Sequence, residues 1–156
     1  MADPARKLVE ALKQRSLTIA TAESLTAGLM ASTIASVPGA SAVLMGGVVA
    51  YDERIKQQLL SVRAETLQLH SVYSPECAME MAQGARLALG VDVALSCTGI
   101  AGPDGGTPEN PVGTVYIGMS CPRGTIAKTF HFTGDRQSIR TQTVEAALGL
   151  ALTSID

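Results

Sequence analysis

Tryptophan is absent from this chain of 156 residues, and its aromatic side chains amount to three tyrosines and two phenylalanines. Nucleic-acid bases stack on aromatic side chains, so a chain with so few of them has little material for such a surface. The formal net charge of -2 provides no basic surface for a phosphate backbone. We therefore expect no nucleic-acid partner.

Long apolar segments are also missing. The longest one, residues 42–50, is interrupted by Gly46 and Gly47 and is far shorter than the roughly 20 residues that a membrane-spanning helix needs. The first residues of the chain carry charges at helical spacing and lack the apolar core of a secretory signal. We expect neither a membrane partner nor secretion.

Cysteine and histidine are scarce as well. The three cysteines, Cys77, Cys97 and Cys121, are odd in number and widely spaced, which is typical of a reduced cytoplasmic protein and not of a disulfide framework. The two histidines, His70 and His131, lie outside any metal-binding motif. We expect a cytoplasmic protein with no metal and no cofactor, and the pattern argues against a zinc hydrolase or a histidine-dependent triad.

Helical and strand-like patterns alternate along the chain, and no proline-rich linker or block of charge divides it. This predicts a single domain over residues 1–156, built as a three-layer α/β/α sandwich. The sheet should be mixed, because crossover connections are combined with a hairpin that turns at residues 122–124. Helices are predicted at 5–14, 23–36, 52–60, 74–89 and 136–152, and strands at 18–21, 48–51, 91–96, 112–120 and 125–132.

The most informative segment is the loop SCTGIAGPDGGTPENPVGT at residues 96–114, which contains five glycines and follows a predicted buried strand. Glycine permits positive φ angles and lets backbone N–H groups approach a ligand closely. An ordinary surface connection is the alternative, but most connections have about 4–6 residues. The segment therefore predicts a substrate-holding loop.

Two more polar clusters follow predicted strands, namely AESLTAG at residues 22–28 and AYDERIK at residues 50–56. Ligands of open α/β sheets bind beyond the carboxyl ends of the strands. We therefore expect the two clusters and the glycine-rich loop to converge on one crevice.

Within these clusters, Ser24 is either a nucleophile near free helical N–H groups or a helix cap. Lys56 and Tyr51 could move protons, although an ordinary lysine would need its pKa lowered by roughly 3 units to act as a base at neutral pH. The alternatives are a solvated lysine and a half-buried strand tyrosine. After the predicted hairpin, Arg136 or Arg140 could bind a phosphate, or either could be a surface arginine.

Taken in order, the segments AESLTAG, VVAYDERIK, TGIAGPDGGTPENPVGTVY and FTGDRQSIRTQ resemble the C-terminal domain of the CinA family of competence/damage-inducible proteins. The resemblance covers nearly the whole chain. It implies a deamidase that converts nicotinamide mononucleotide and water to nicotinate mononucleotide and ammonia without a metal. It also implies a small-molecule nucleotide as the partner.

The resemblance also implies roles for individual residues. Ser24 would attack the carboxamide carbon, Lys56 would take and return the proton, and Tyr51 would orient the pair. The turn from Ser24 to Thr26 is expected to stabilise the oxyanion. The expected substrate contacts are Thr26, Thr98, Gly99, Gly102 and Arg140.

Some residues depart from the commoner pattern of the family. Leu25, Ala27 and Gly28 stand where a cysteine and two glycines are usual, and residues 52–55 read DERI where the family has an Ser-Asn-Glu-Ala run. Two other functions therefore stay open: a catalytically weak module that binds a nucleotide or regulates a partner, and hydrolysis of a different amide.

The apolar closing helix at 144–155 predicts a homodimer.

Overall fold

The strands and helices of the computed structural model, which describes residues 3–155, alternate along most of the chain. In chain order they are α1 (Pro4–Gln14), β1 (Ile19–Glu23), α2 (Leu29–Ala35), β2 (Leu44–Val49), α3 (Glu53–Leu60), α4 (Ala64–His70), α5 (Pro75–Leu89), β3 (Val93–Gly99), β4 (Thr114–Cys121), β5 (Gly124–His131) and α6 (Arg136–Ser154). Three of the longer helices begin at an acidic or hydroxyl cap: Asp3 for α1, Ser74 for α5 and Asp135 for α6.

The five strands form one sheet in the order β2-β1-β3-β4-β5. Strand β1 pairs in parallel with both β2 and β3, whereas β3, β4 and β5 pair antiparallel. Helices α1, α2 and α6 pack together over one face of this sheet, and α3 and α4 pack with α5 over the other. The predicted α/β sandwich with a mixed sheet is therefore confirmed.

The main core lies between the sheet and the layer of α1, α2 and α6, and a smaller core lies under α5. Strand β1 is buried along its whole length, as expected for a central strand that is covered on both faces. In α6, Val144, Leu148 and Leu150 are buried inside this chain. The apolar closing helix is thus accounted for by its own core, and the homodimer stays a prediction.

None of the helices in residues 3–155 is long and apolar enough to cross a membrane.

Two local predictions were wrong, and one helix was missed. Strand β1 runs to Glu23, and α2 begins only at Leu29 after a turn with positive φ angles at Ala27 and Gly28. Strand β2 begins at Leu44, before the predicted start at residue 48, and includes Gly46 and Gly47. Glycine is required at position 47, because a β-carbon there would overlap the hydroxyl of Thr21 on the neighbouring strand. Helix α4 was not predicted.

We expect Gly84→Ala to lower the free energy of unfolding by about 1–3 kcal/mol, the cost of overpacking a core. Gly84 lies in α5, where a β-carbon would overlap the carbonyl oxygen of Leu60. The matched control is Gly149→Ala in α6, where no atom beyond the neighbouring residues and the backbone of the helix itself lies within 4 Å of the added carbon. That substitution should raise stability by about 0.4–1 kcal/mol, because alanine restricts the unfolded chain. Urea denaturation measures both, and equal stabilities of the two variants would contradict this packing.

Candidate active site

The carboxyl ends of the three parallel strands meet at one edge of the sheet, beside a cavity of about 430 Å³. Ser24 follows β1, Tyr51 follows β2, and Gly99 ends β3. The cavity is lined by Ser24, Leu25, Tyr51, Asp52, Glu53, Lys56, Val72, Tyr73, Gly99, Ile100, Ala101, Gly102, Asp104, Gly105 and Arg136. The three polar clusters therefore lie around one cleft.

A hydrogen bond joins Ser24 to Lys56 across this cleft. The lysine Nζ lies 2.9 Å from the serine Oγ, and it also donates to the carbonyl oxygens of Ala50 at 2.8 Å and Tyr51 at 3.1 Å. The backbone of Ser24 is held as well, because its N–H donates to the carbonyl of Cys97 in β3. The geometry thus fixes both members of the pair.

Local sequence explains how a lysine reaches this position. Asp52 caps α3 by accepting a hydrogen bond from the N–H of Arg54, so the helix begins directly after β2. Lys56 comes one turn into the helix, and its side chain turns inward and is only 1% exposed. The sequence alternative of a solvated lysine on the helix surface is wrong.

Burial lowers the pKa of Lys56 below its ordinary value of 10.5, because the charged form loses hydration. Cys77, Cys97, Glu53 and Asp52 oppose this shift without reversing it. The two buried thiols are themselves held protonated, since burial raises the pKa of Cys77 to about 12 and that of Cys97 to about 11. The neutral form of Lys56 is therefore reached at a lower pH than that of an ordinary lysine.

A neutral amine fits the observed contacts. Nζ donates to Ser24 Oγ and to the carbonyl oxygens of Ala50 and Tyr51. Once neutral, the amine keeps its two N–H bonds to the carbonyls and turns its lone pair to the hydroxyl of Ser24. The pair is therefore arranged for proton transfer from the serine to the lysine.

The turn that carries Ser24 is held from below by the buried carboxylate of Glu23. It accepts hydrogen bonds from the hydroxyls of Thr21 and Thr26 and from the N–H groups of Met30 and Ala31 in the first turn of α2. The N-cap residue of α2 is Gly28, which has no side chain to cap the helix. Glu23 therefore supplies the acceptor that a capping side chain would provide.

Thr26 and Thr98 do not line the cavity. The hydroxyl of Thr26 donates to Glu23 and contacts the sulfur of Cys97, and the hydroxyl of Thr98 donates to the carbonyl of Val72. Both side chains are fully buried. A direct contact between either hydroxyl and a substrate would require these internal bonds to break.

The two candidate arginines have different positions. Arg140 lies outside the cavity lining and donates to the carbonyl oxygens of Leu25 and Thr26, so it braces the turn after Ser24. Arg136 lines the cavity and donates to the carbonyl of Gly102 at 2.8 Å and to the hydroxyl of Tyr51 at 2.9 Å. Of the two arginines that the sequence offered, Arg136 lines the cavity and Arg140 does not.

Tyr51 and the glycines form the rim of the cleft. The ring of Tyr51 is 57% exposed, and its hydroxyl is bonded to Arg136 and not to Lys56. Gly99 packs so closely on β4 that a β-carbon would lie 2.6 Å from the carbonyl oxygen of Thr114. Gly102 has a φ angle of +77°, which favours glycine.

Some lining residues were missed by the sequence analysis. Val72 and Tyr73 lie between α4 and α5, away from any strand end, so the rule that predicted the other clusters does not apply to them. Asp104 was not missed, because it belongs to the predicted substrate-holding loop and lines the cavity. In residues 3–155, no three side chains of histidine, cysteine, aspartate or glutamate form a group that could hold a metal ion.

Fold and site together define an α/β protein with a paired serine and lysine at the carboxyl edge of a mixed sheet. The model of the CinA C-terminal domain matches residues 1–155. This chain belongs to the CinA C-terminal domain family, as its motifs predicted.

Relatives and solved structures agree with this membership. A CinA-like protein of Thermotoga maritima is 48% identical over 141 residues, which cover 90% of this chain and 34% of the relative. A putative competence-damage inducible protein of Caldanaerobacter subterraneus is 47% identical over 137 residues, covering 88% of this chain and 33% of the relative. The chain thus spans about a third of the length of these curated relatives.

Among solved structures, the competence/damage inducible protein CihA of Agrobacterium tumefaciens superposes with a TM-score of 0.93 at 35% identity, covering 97% of this chain and 94% of that one. A CinA superfamily protein of Escherichia coli superposes with a TM-score of 0.88 at 32% identity, covering 97% and 93%. The sandwich and its mixed sheet are thus shared with solved members of the family.

We expect Glu23→Gln to lower the free energy of unfolding by about 2–4 kcal/mol, because an amide nitrogen would face donors that now bind a carboxylate oxygen. The control is Glu10→Gln, which removes an exposed ion pair with Arg6 and should change stability by no more than about 0.5 kcal/mol. Chemical denaturation gives both values. A Glu23→Gln protein as stable as the control would show that the carboxylate does not hold the turn.

Proposed function

We propose that this domain hydrolyses the carboxamide of nicotinamide mononucleotide to give nicotinate mononucleotide and ammonia. The observation that carries the proposal is the buried Lys56 bonded to Ser24 at the cavity of a CinA C-terminal domain. The reaction and the substrate are those implied by the resemblance in sequence. The geometry of the pair supplies a nucleophile with its own base.

In the first step, the Oγ of Ser24 attacks the carboxamide carbon while Lys56 Nζ takes the hydroxyl proton. The carbonyl π electrons move to oxygen, and a tetrahedral oxyanion forms. Leu25 lines the cavity next to Ser24, and its backbone N–H donates no hydrogen bond within residues 3–155. This N–H is our candidate for stabilising the oxyanion.

In the second step, the tetrahedral species collapses and the carbon–nitrogen bond breaks. Lys56 returns its proton to the leaving nitrogen, which departs as ammonia, and Ser24 carries the acyl group as an ester. Water then attacks the ester carbon, with Lys56 again as the base, and the products are nicotinate mononucleotide and free Ser24. Each proton that Lys56 takes is given back within its half-reaction.

Substrate binding is assigned to the other residues of the cleft. The guanidinium of Arg136 has donors beyond the two that bind Tyr51 and Gly102, and we propose that they bind the phosphate. Gly99 and Gly102 let the loop backbone approach the nucleotide. Arg140 would act through the turn that it braces, and not by touching the substrate.

We expect Ser24→Ala and Lys56→Met each to lower the rate of ammonia release by at least about 10²-fold, because one removes the nucleophile and the other its base. Ammonia and nicotinate mononucleotide are measured together with chelator-treated protein. Lys128→Met on the exposed strand β5 is the control and should keep the full rate. Full activity in either site variant would sink the mechanism.

The same assay tests the competing functions. Nucleotide binding by the wild-type domain without ammonia release would favour the binding or regulatory module. Ammonia release from another amide, but not from nicotinamide mononucleotide, would keep the mechanism and change the substrate.

We expect kcat/KM to rise with pH and to level off below pH 10.5. Lys56 must be neutral to take the proton, and its pKa is lowered by burial, so the active form gains population as pH rises through that lowered pKa. Initial rates over a pH series measure the midpoint, and circular dichroism at each pH checks that the fold is intact. A flat profile, or one that rises only above pH 10.5, would contradict the assignment of Lys56 as the base.

A further inference from the structure

The cleft is lined by more acidic than basic side chains. The acidic side chains are Asp52, Glu53 and Asp104, and the basic ones are Lys56 and Arg136. This balance is unexpected for a site that takes a phosphate ester, because each carboxylate repels the phosphate.

The three carboxylates are not equivalent. Asp52 caps α3 through the N–H of Arg54. Asp104 lies two residues after Gly102. The carbonyl of Gly102 accepts a hydrogen bond from Arg136, so this part of the loop is held next to the guanidinium. Glu53 is exposed, and it makes no hydrogen bond or ion pair among residues 3–155. Asp104 is likewise exposed and makes no such bond among residues 3–155, but it lies on the glycine-rich loop, whereas Glu53 lies on the helix that carries Lys56.

Position along α3 places Glu53 close to the reacting pair. Residues three apart on a helix are surface neighbours, with about 5–6 Å between β-carbons, and Glu53 and Lys56 have this spacing. Lys56 in turn lies 2.9 Å from Ser24 Oγ. A group attached to the carboxamide that Ser24 attacks would therefore lie in the field of Glu53.

Two positive groups of the cleft could offset Glu53. Burial lowers the pKa of Lys56 and so reduces its share of the charged form, while the thiols of Cys77 and Cys97 near it are held protonated. Arg136 is bonded to Tyr51 and Gly102 at the rim. The carboxylates of Asp52 and Glu53 thus lie at the start of the helix that carries Lys56, and the guanidinium lies at the rim.

We infer that Glu53 selects a substrate whose amide-bearing ring is positively charged, and that it weakens binding of the carboxylate product. This inference rests on the proposed function. The ring nitrogen of nicotinamide mononucleotide is quaternised by its bond to ribose, so the ring is a cation, whereas the phosphate is an anion. The ring would lie by Glu53 and the phosphate by Arg136. After hydrolysis, the new carboxylate of the product is repelled by the same side chain.

The test compares two amides in the wild type and in Glu53→Gln. One is nicotinamide mononucleotide, and the other is benzamide riboside 5′-monophosphate, in which carbon replaces the charged ring nitrogen. Rates are taken on the high-pH plateau, where Lys56 is neutral in both proteins. We expect the ratio of kcat/KM for the cationic over the neutral substrate to fall about threefold to fivefold in Glu53→Gln, which is the size of an exposed charge pair.

A second readout is inhibition by nicotinate mononucleotide, which should strengthen in Glu53→Gln by a similar factor. The matched control is Glu65→Gln, which also removes one exposed carboxylate from the first turn of a helix, α4, but lies outside the cavity lining. It should leave both the ratio and the inhibition unchanged.

The outcomes separate the two proposals. If the wild type releases ammonia but Glu53→Gln keeps the wild-type ratio and product inhibition, the inference is overturned and the proposed function stands. If the wild type releases no ammonia from either amide, the proposed function fails. In that case, the affinities of Ser24→Ala for the two nucleotides, with and without Glu53→Gln, decide whether the cleft recognises the ring cation, and equal affinities overturn the inference as well.

Discussion

The amine of Lys56, buried beside Ser24, is the constraint around which the rest of the site is arranged. A buried ammonium is costly because it loses its hydration, and here that cost favours the neutral base that the proposed chemistry needs. The two carbonyl oxygens after β2 and the serine hydroxyl use all of its hydrogen-bonding capacity. Burial destabilises the charged lysine, and the lowered pKa that results is what makes Lys56 useful as a base. Active sites often give up stability for function in this way.

The fold brings the pair together through a parallel arrangement. Because β1 lies between β2 and β3 in parallel register, the residue after β1 and the start of α3 meet at one edge. Two polar side chains then hold the turn at Ser24. Buried Glu23, at the end of β1, binds Thr26 and the first turn of α2, and half-buried Arg140 of α6 binds the carbonyls of Leu25 and Thr26. Neither residue lines the cavity, and both act on the turn that carries the serine oxygen.

The sequence alone predicted the layers of the fold, the mixed sheet and the clusters at the strand ends, because hydrophobic period and glycine content report directly on those features. It did not predict whether Lys56 is buried, since that depends on packing between distant elements. The same limit applies to Thr26 and Thr98, because the sequence does not show whether a threonine hydroxyl near a strand end faces the cleft or the core. The roles of the site residues in catalysis and binding stay predictions.

The most direct test of the central claim is the side-chain NMR titration of Lys56, with its ¹⁵Nζ and ¹³Cε signals assigned by their loss in Lys56→Met. A base bonded to Ser24 should give a single lysine that titrates below its ordinary value of 10.5 and whose signal changes when Ser24 becomes alanine. A Lys56 that titrates at or above 10.5, or that does not respond to the loss of Ser24, would contradict a neutral base bonded to the serine.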